Sequence, residues 1–410
     1  MSHQRFLDRN THPHIITLVM ATAFGALAMN LFLPALPSMA RYFNAPYSTA
    51  QYAVSLYLAA TAVMQLGIGP LSDRFGRRPL MAACLAISLL ATLAGIYATT
   101  IELFLAARVI QGTAIAGMVI GRAAIRDVVD TDQAASKIGY VTMGMSLAPM
   151  VGPVIGGLLD EQFGWQSTFW LLFGFGLVAF LLVWFDMGET NSNLSSSFTQ
   201  QFRSWPDLLR SRRFWGYSLT SAFGSGTFYA FLGGGPFLAT DFYEMTPSQY
   251  GLHFAFVSLG YITGNFISGR FSARTGINRM ALTGGIVIAL GMALAISLQH
   301  AGFSHPLAFF MPITMVGLGN GITLPNANAG IVSVRPHLAG AASGLGGFLQ
   351  VSGGAMLAVL AGKVLSHGSG PLPLLYVMIT SAVLSIVTIT FVIQVARSEA
   401  AKQAGNSPAQ

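Results

Sequence analysis

Charged residues are scarce in this chain. Of its 410 residues only 9 % are Asp, Glu, Lys or Arg, while 53 % are hydrophobic; soluble domains carry about 25 % charged residues. A single cysteine, Cys84, excludes an intrachain disulfide and a metal site built from several cysteines. This composition excludes an ordinary soluble domain and predicts an integral membrane protein.

Motifs for catalysis and for cofactor binding are also missing. The eight histidines are scattered, and the sequence contains neither HExxH nor a glycine-rich phosphate loop. We therefore expect no enzyme activity, no cofactor and no metal site. Without an ATP-binding domain, any transport must draw on an ion gradient or on the gradient of the substrate itself.

What the chain has instead is long apolar runs. A run of about 18 residues or more can cross the hydrocarbon core as a helix. Twelve such runs are predicted to be transmembrane helices: 15–36, 50–70, 79–98, 103–124, 138–159, 168–187, 214–236, 249–269, 280–299, 307–332, 340–364 and 373–395. The predicted fold class is therefore all-α integral membrane.

The basic residues set the predicted orientation, because short loops rich in Lys and Arg stay in the cytoplasm. With both termini cytoplasmic, only Arg41 and Lys363 of the 21 Lys and Arg residues fall outside, and Arg108 lies within a span. The net charge of +7 is thus explained by the basic residues of the cytoplasmic loops, and we expect no nucleic-acid partner. The twelve residues before the first span are interpreted as a retained tail.

The chain divides at one long polar connection. We predict an N-terminal six-helix bundle over 1–188, a cytoplasmic linker over 189–213 and a C-terminal six-helix bundle over 214–410. A repeat supports this division, because "GPLSDRFG" at 69–76 recurs as "GRFSARTG" at 269–276, each after the second span of its half. Two similar halves related by an axis along the membrane normal are the layout of a major facilitator transporter.

Several motifs carry a family resemblance that covers almost the whole chain. "GPLSDRFGRRP" (69–79), "RVIQGTAIAG" (108–117) and "APMVGPVIGG" (148–157) resemble the loop 2–3, helix 4 and antiporter helix 5 signatures of the major facilitator superfamily. "MNLFLPALP", "PNANA" (325–329) and "AGAASGLGGFLQ" (339–350) further resemble the Bcr/CflA-type bacterial drug exporters. The chain departs from these exporters at Asn30, where they usually carry Asp.

Two motifs suggest gating. Asp73 lies beside basic residues, so it can pair with arginine or accept from exposed N–H groups at a helix start. The resemblance implies an inter-helix latch of Asp73, Arg77 and Asp127 that holds the cytoplasmic gate shut. The alternative is that the basic residues of this loop only keep it on the cytoplasmic side of the membrane. The fifth span, with Gly152 and Pro153, is interpreted as mechanical, because such residues let membrane helices pack closely and bend; simple packing is the alternative.

Asn30 and Arg108 are the main candidates for the coupling site. An arginine inside the bilayer costs at least ~2.5 kcal/mol unless it reaches water or a partner, so we expect Arg108 to face a cavity; snorkelling to the outer interface is the alternative. All fourteen acids map to tails, loops or span ends. Asn30 matches a protonated Asp in shape but releases no proton; a plain helix–helix hydrogen bond is the alternative. The sequence leaves open whether the amide is natural or introduced.

Further residues are predicted to line the cavity, because polar groups in lipid need partners and broad aromatic surfaces can repack around apolar ligands. Beside Asn30 and Arg108, the candidate substrate residues are Tyr57, Gln111, Tyr229, Tyr261, Asn265, Phe348 and Gln350. With Arg108 uncompensated by a cavity carboxylate, we expect neutral or weakly acidic drugs to bind better than permanent cations.

The resulting hypothesis is a monomeric exporter in the bacterial inner membrane that moves small amphipathic drugs, phenicol- or bicyclomycin-like, by alternating access. The resemblance implies exchange against protons, which the amide at Asn30 puts in doubt. The alternatives are an uncoupled facilitator or a sugar or metabolite exporter on the same fold, and a transport-dead sensor.

Overall fold

The fold was analysed in a computed structural model, which describes residues 6–9, 11–128, 148, 151–191, 205–335, 338–365 and 370–405. The described residues form helices and connecting turns, with no strand among them. The expected all-α class is therefore confirmed.

The described residues of the first half of the chain form nine helices. They are α1 Ile15–Asn30, α2 Leu36–Tyr42, α3 Tyr47–Ala50, α4 Tyr52–Phe75, α5 Arg77–Ile96, α6 Ile101–Gln111, α7 Ala116–Val128, α8 at 151–163 and α9 Gln166–Asp186. Short 3-10 turns at Leu33–Ala35 and Gly112–Ile115 join α1 to α2 and α6 to α7. Each joined pair forms one apolar segment long enough to cross a membrane.

In the second half, the ranges that the structure describes form seven further helices. They are α10 Trp205–Leu209, α11 Arg212–Phe237, α12 Pro247–Thr275, α13 Ile277–His300, α14 Leu307–Ser333, α15 Ala339–Val364 and α16 Leu372–Gly405. A π-helical turn, Leu238–Phe242, follows α11.

These helices match the predicted spans. Every predicted span contains a helix, and the fifth is described only at 148 and from 151 onwards. Within the described ranges, nine helical segments are long and apolar enough to cross a membrane. Hydropathy located the helices because a backbone in lipid must satisfy its own N–H and C=O groups, which a helix does locally.

The sequence repeat has a structural counterpart. Gly76 separates α4 from α5 with φ 95°, and Gly276 separates α12 from α13 with φ 86°. A side chain is strained at such positive φ values, so glycine lets each pair of long helices meet across one residue. Both copies of the motif thus form the same tight turn.

Contacts divide the chain into two compact units. Unit 1 comprises residues 1–199 together with 232–255, and unit 2 comprises residues 200–231 together with 256–410. The predicted linker at 189–213 stays a prediction. The compact units differ from the predicted bundles because the C-terminal end of α11 and the first turns of α12 group with unit 1.

Within unit 1, α8 packs backbone to backbone on two sides. On one side, a Cβ at Gly156 would collide with the Leu31 carbonyl oxygen, and Gly152 lies against the Leu31 backbone. On the other side, Gly157 lies against the Pro247 carbonyl and Gly251 against the Pro153 carbonyl. The predicted gating residues Gly152 and Pro153 therefore lie where α8 contacts α1 and the start of α12.

This packing gives a testable expectation for stability. Gly156→Ala should destabilise the protein by about 1–3 kcal/mol, because overpacking displaces backbone that cannot move aside. Gly174→Ala is the matched control, since the space around Gly174 is open and alanine there should leave stability equal or higher. Thermal unfolding in detergent measures both, and equal melting temperatures for the two variants would contradict this packing.

Candidate functional site

The site begins where α1 breaks. Pro34 lacks an N–H, so it cannot donate to the carbonyl four residues earlier, that of Asn30, and Pro37 repeats the defect one turn later. The helix accordingly ends at Asn30 and continues through the 3-10 turn into α2. This local sequence places the Asn30 amide at a helix break inside unit 1, with only 2 % of the residue exposed.

Arg108 reaches this break from the last turn of α6. Its Nε donates to the Ala53 carbonyl on α4 at 3.1 Å, and its Nη1 donates to the Ala28 carbonyl on α1 at 3.1 Å. Nη1 also donates to Oε1 of Gln111, one turn further along its own helix. The guanidinium therefore ties three helical segments together through mostly backbone acceptors.

Aromatic rings stack around the same guanidinium. Its central carbon lies 4.3 Å from the ring centroid of Phe32 and 4.3 Å from that of Tyr57, with Phe169 at 5.9 Å. The face of an aromatic ring attracts a cation, by about 2 kcal/mol or more where both are desolvated. Phe32 and Phe169 were missed by the sequence analysis, although Phe32 belongs to the quoted "MNLFLPALP" motif.

The charge of Arg108 has no carboxylate partner among the described residues. Arg108 is 1 % exposed, and its Nη2 has no hydrogen-bond partner in the described part of the chain. The Nδ2 of Asn30 donates to the Ala26 carbonyl at 2.8 Å, whereas its Oδ1 accepts no hydrogen bond from any described residue. The snorkelling alternative for Arg108 is wrong, because the side chain turns into the protein and is almost completely buried.

Neighbouring polar groups hold these side chains in place. Gln111 donates from Nε2 to the Thr92 hydroxyl at 2.7 Å, which points its Oε1 at Arg108. Tyr57 donates from its hydroxyl to the Gly25 carbonyl at 3.0 Å, which fixes the ring beside the guanidinium. Thr92 was missed because a buried threonine in an apolar run commonly bonds its own helix, as Thr92 also does to Ser88.

The other predicted substrate residues belong to unit 2. Asn265 donates to the carbonyl of Tyr261 on its own helix, and the ring of Tyr229 packs against Gly354. Gln350 accepts at 2.8 Å from the Ser221 hydroxyl, and Phe348 is half-buried. Their assignment to a substrate site stays a prediction.

The structure brings the three predicted latch residues together. Arg77, at the start of α5, lies 2.5 Å from Asp73 on α4 and 3.0 Å from Asp127 on α7. The Arg77 side chain is 10 % exposed, against 39 % for Asp73 and 26 % for Asp127. One largely buried arginine thus bridges two partly exposed acids on different helices.

Glu189 completes this cluster and was missed by the sequence analysis, which placed it in the linker. Its carboxylate accepts from the backbone N–H groups of Arg77 at 2.9 Å and Arg78 at 3.3 Å, at the start of α5. A carboxylate here satisfies unpaired N–H groups and interacts favourably with the helix dipole. Asn191 adds a hydrogen bond to the Asp73 carbonyl at 3.0 Å. Glu189 also accepts from the N–H groups of Thr190 and Asn191, but its partners on α5 are backbone groups more than a hundred residues away, which no local motif marks.

Comparison with known proteins agrees with this architecture. Residues 18–359 match the family model described as Major Facilitator Superfamily. The human organic anion transporter MFSD10 has a similar structure, with a TM-score of 0.67 and 16 % identity, covering 92 % of this chain and 98 % of that one. At this identity the likeness concerns the fold alone.

Three curated bacterial relatives match most of the chain. An uncharacterized MFS-type transporter, YdgK of Bacillus subtilis, is 31 % identical over 84 % of this chain and 87 % of its own length. The bicyclomycin resistance protein homolog of Haemophilus influenzae is 26 % identical, covering 94 % and 97 %. The chloramphenicol resistance protein of Pseudomonas aeruginosa is 29 % identical, covering 83 % of each chain. This multi-pass membrane protein therefore belongs to the major facilitator superfamily, among its Bcr/CflA-type members.

Proposed function

We propose that the protein exports small amphipathic drugs, phenicol- or bicyclomycin-like, across the bacterial inner membrane by alternating access. The observation that carries the proposal is the desolvated polar centre of unit 1, in which Arg108 and Asn30 each keep a free hydrogen-bonding atom inside an aromatic enclosure. Ligand sites in proteins combine apolar walls with a few placed polar groups in this way. The relatives named for resistance to bicyclomycin and chloramphenicol support the substrate class.

Asn30 is proposed to occupy the position that binds the coupling proton in related exporters. A carboxamide matches a protonated carboxylic acid in shape and offers the same carbonyl acceptor, but it releases no proton. The chain would therefore bind drug in the manner of a protonated exporter without exchanging it for a proton. Its orphan Oδ1 is the atom that a ligand hydroxyl or N–H would reach.

The Arg77 cluster is proposed as the cytoplasmic latch, with both termini on the cytoplasmic side. Asp73, Arg77 and Asp127 join three helices, and Glu189 ties the end of α9 to the same point. In the second copy of the motif Ala273 replaces the acid, so unit 2 lacks the corresponding pair. A latch on one side only would bias one of two conformations.

The susceptibility of an efflux-deficient host that expresses the chain tests the proposal directly. Resistance to chloramphenicol or bicyclomycin that is weakly raised by the parent chain, higher with Asn30→Asp and lost in Arg108→Gln is the expected result. An uncoupled facilitator or a sugar or metabolite exporter on the same fold would leave resistance unchanged yet move its ligand across liposomes. A transport-dead sensor would bind ligand and move none.

Removing the acid of the latch should open the cytoplasmic side. In a Cys84→Ser background carrying Gln350→Cys, we expect Asp73→Asn to raise labelling by a cytoplasmic, impermeant maleimide. A partly exposed ion pair contributes up to about 1 kcal/mol, which shifts the conformational equilibrium by a factor of about five. Drug binding should change less than the labelling rate.

Asp207→Asn is the matched control for this experiment. It removes one acid from α10, where the structure assigns Asp207 no ion pair among the described residues. Its labelling should equal that of the parent. Unchanged labelling in Asp73→Asn as well would refute the latch.

Restoring an acid at position 30 should create proton coupling. In Asn30→Asp, drug and proton would compete for one carboxyl group, so drug binding should depend on pH between about pH 6 and 9 and drug addition should release protons. Each charge moved inward contributes ~2.3 kcal/mol per 100 mV to export of a neutral drug. The parent chain should bind drug without pH dependence and release none.

Proton release in detergent and binding at several pH values measure this difference, with Asn30→Ser as the control that changes the side chain without adding an acid. Proton release by the parent chain itself would mean that a different acid couples transport. The proposed role of Asn30 would then be wrong.

A further inference from the structure

The guanidinium of Arg108 carries a full positive charge that no carboxylate among the described residues balances. Arginine stays protonated in proteins, and three of its five N–H groups are used on two carbonyls and one amide oxygen, all of them neutral. The remaining two N–H groups are on Nη2, which is buried and has no partner within the described ranges. Hydrogen bonds and ring faces stabilise this cation but leave its net charge in place.

The sequence offers no acid that could approach it within the membrane. All acids of the chain fall in tails, loops or at span ends, and the break of α1 carries a neutral amide at Asn30. A buried charge favours a partner of opposite sign far more strongly than a charge in water does. The missing negative charge must therefore come from outside the chain.

We propose that the substrate supplies this charge, so that the protein exports amphipathic organic anions that carry a carboxylate or sulfonate on an aromatic body. This inference rests on the proposed export function and extends its substrate class from neutral phenicol- or bicyclomycin-like drugs to anionic ones. One anionic oxygen accepts from Nη2 of Arg108, and a donor group on the same ligand bonds to Oδ1 of Asn30. The aromatic body packs beside Phe32 and Tyr57, whose rings already lie over the guanidinium.

An anionic substrate also explains how a chain without a coupling acid can export against a gradient. The bacterial membrane is negative inside, so its potential drives an anion outward without any exchanged ion. For a monovalent anion the potential supports an outward gradient of about fifty-fold per 100 mV. A neutral amide at Asn30 is compatible with anion export. A carboxylate at that position would repel the anionic substrate, and in its protonated form it would carry a proton into the cell.

Proteoliposomes with an imposed potassium diffusion potential and equal pH on both sides test the inference. Three matched probes separate charge from shape: 1-naphthalenesulfonate, 1-naphthalenesulfonamide and trimethyl(1-naphthyl)ammonium. We expect the parent chain to bind the sulfonate tighter than the ammonium by on the order of tenfold or more. It should also accumulate the sulfonate on the positive side of the membrane, at a rate that rises with the potential and vanishes in protein-free liposomes.

Two variants separate charge from structural damage. Arg108→Gln removes the charge and should remove the preference for the sulfonate, while its melting temperature shows whether it folds. Asn30→Asp keeps Arg108 and supplies a carboxylate from within the chain, so it should weaken sulfonate binding and strengthen ammonium binding. Asn44→Asp makes the same substitution at an exposed residue outside the site and should retain the preference for the sulfonate.

Two results would overturn the inference: ammonium binding as tight as sulfonate binding in the parent chain, or sulfonate transport that ignores the imposed potential. Either result would leave the proposed drug export standing if the chain still confers chloramphenicol resistance. Loss of both resistance and all probe binding would instead refute the proposed function.

Discussion

The arrangement of unit 1 depends on the burial of one cation. Arg108 is almost completely enclosed, and its guanidinium binds the carbonyls of Ala28 and Ala53 and the amide of Gln111. These acceptors belong to α1, α4 and α6, so satisfying the arginine fixes how three helices meet. The prolines after Asn30 end α1 two residues beyond Ala28. The carbonyl of Ala28 is available because it is one of the last four carbonyls of that helix. A helix break and a buried charge are thus two parts of one structural feature.

The cluster around Arg77 is arranged in the opposite way, with its charge paired. Arg77 is paired with two acids, Asp73 and Asp127, and its backbone N–H is bound by Glu189. Paired charges at an interface can separate and re-form at small cost because water replaces the lost partner. An unpaired charge in the membrane has no such replacement. The chain therefore keeps the paired charges around Arg77 partly exposed and the unpaired guanidinium of Arg108 buried.

Glycine makes the close helix contacts possible. In unit 1, Gly152 and Gly156 let α8 lie directly on the backbone of α1 next to the break. In unit 2, Gly284 on α13 and Gly319 on α14 face each other with no room for a side chain. Apolar side chains gain nothing from leaving lipid, so van der Waals contact between backbones supplies the association that the hydrophobic effect supplies in water.

The sequence by itself determined the helices and the repeated tight turn and indicated that Arg108 needs partners away from lipid, because each follows from a local rule: hydropathy, glycine at positive φ and the cost of charge in lipid. That Asp73, Arg77 and Asp127 meet was implied by the resemblance of their motif to a known family. Only the tertiary structure decided what holds Arg108, since the carbonyls of Ala28 and Ala53 carry no residue-specific signal. The role of Glu189 could not be predicted for the same reason, because it binds backbone N–H groups at the start of a helix distant in sequence. The sequence shows which side chains are present, whereas the partners of a backbone carbonyl or N–H group are determined only by how the helices pack.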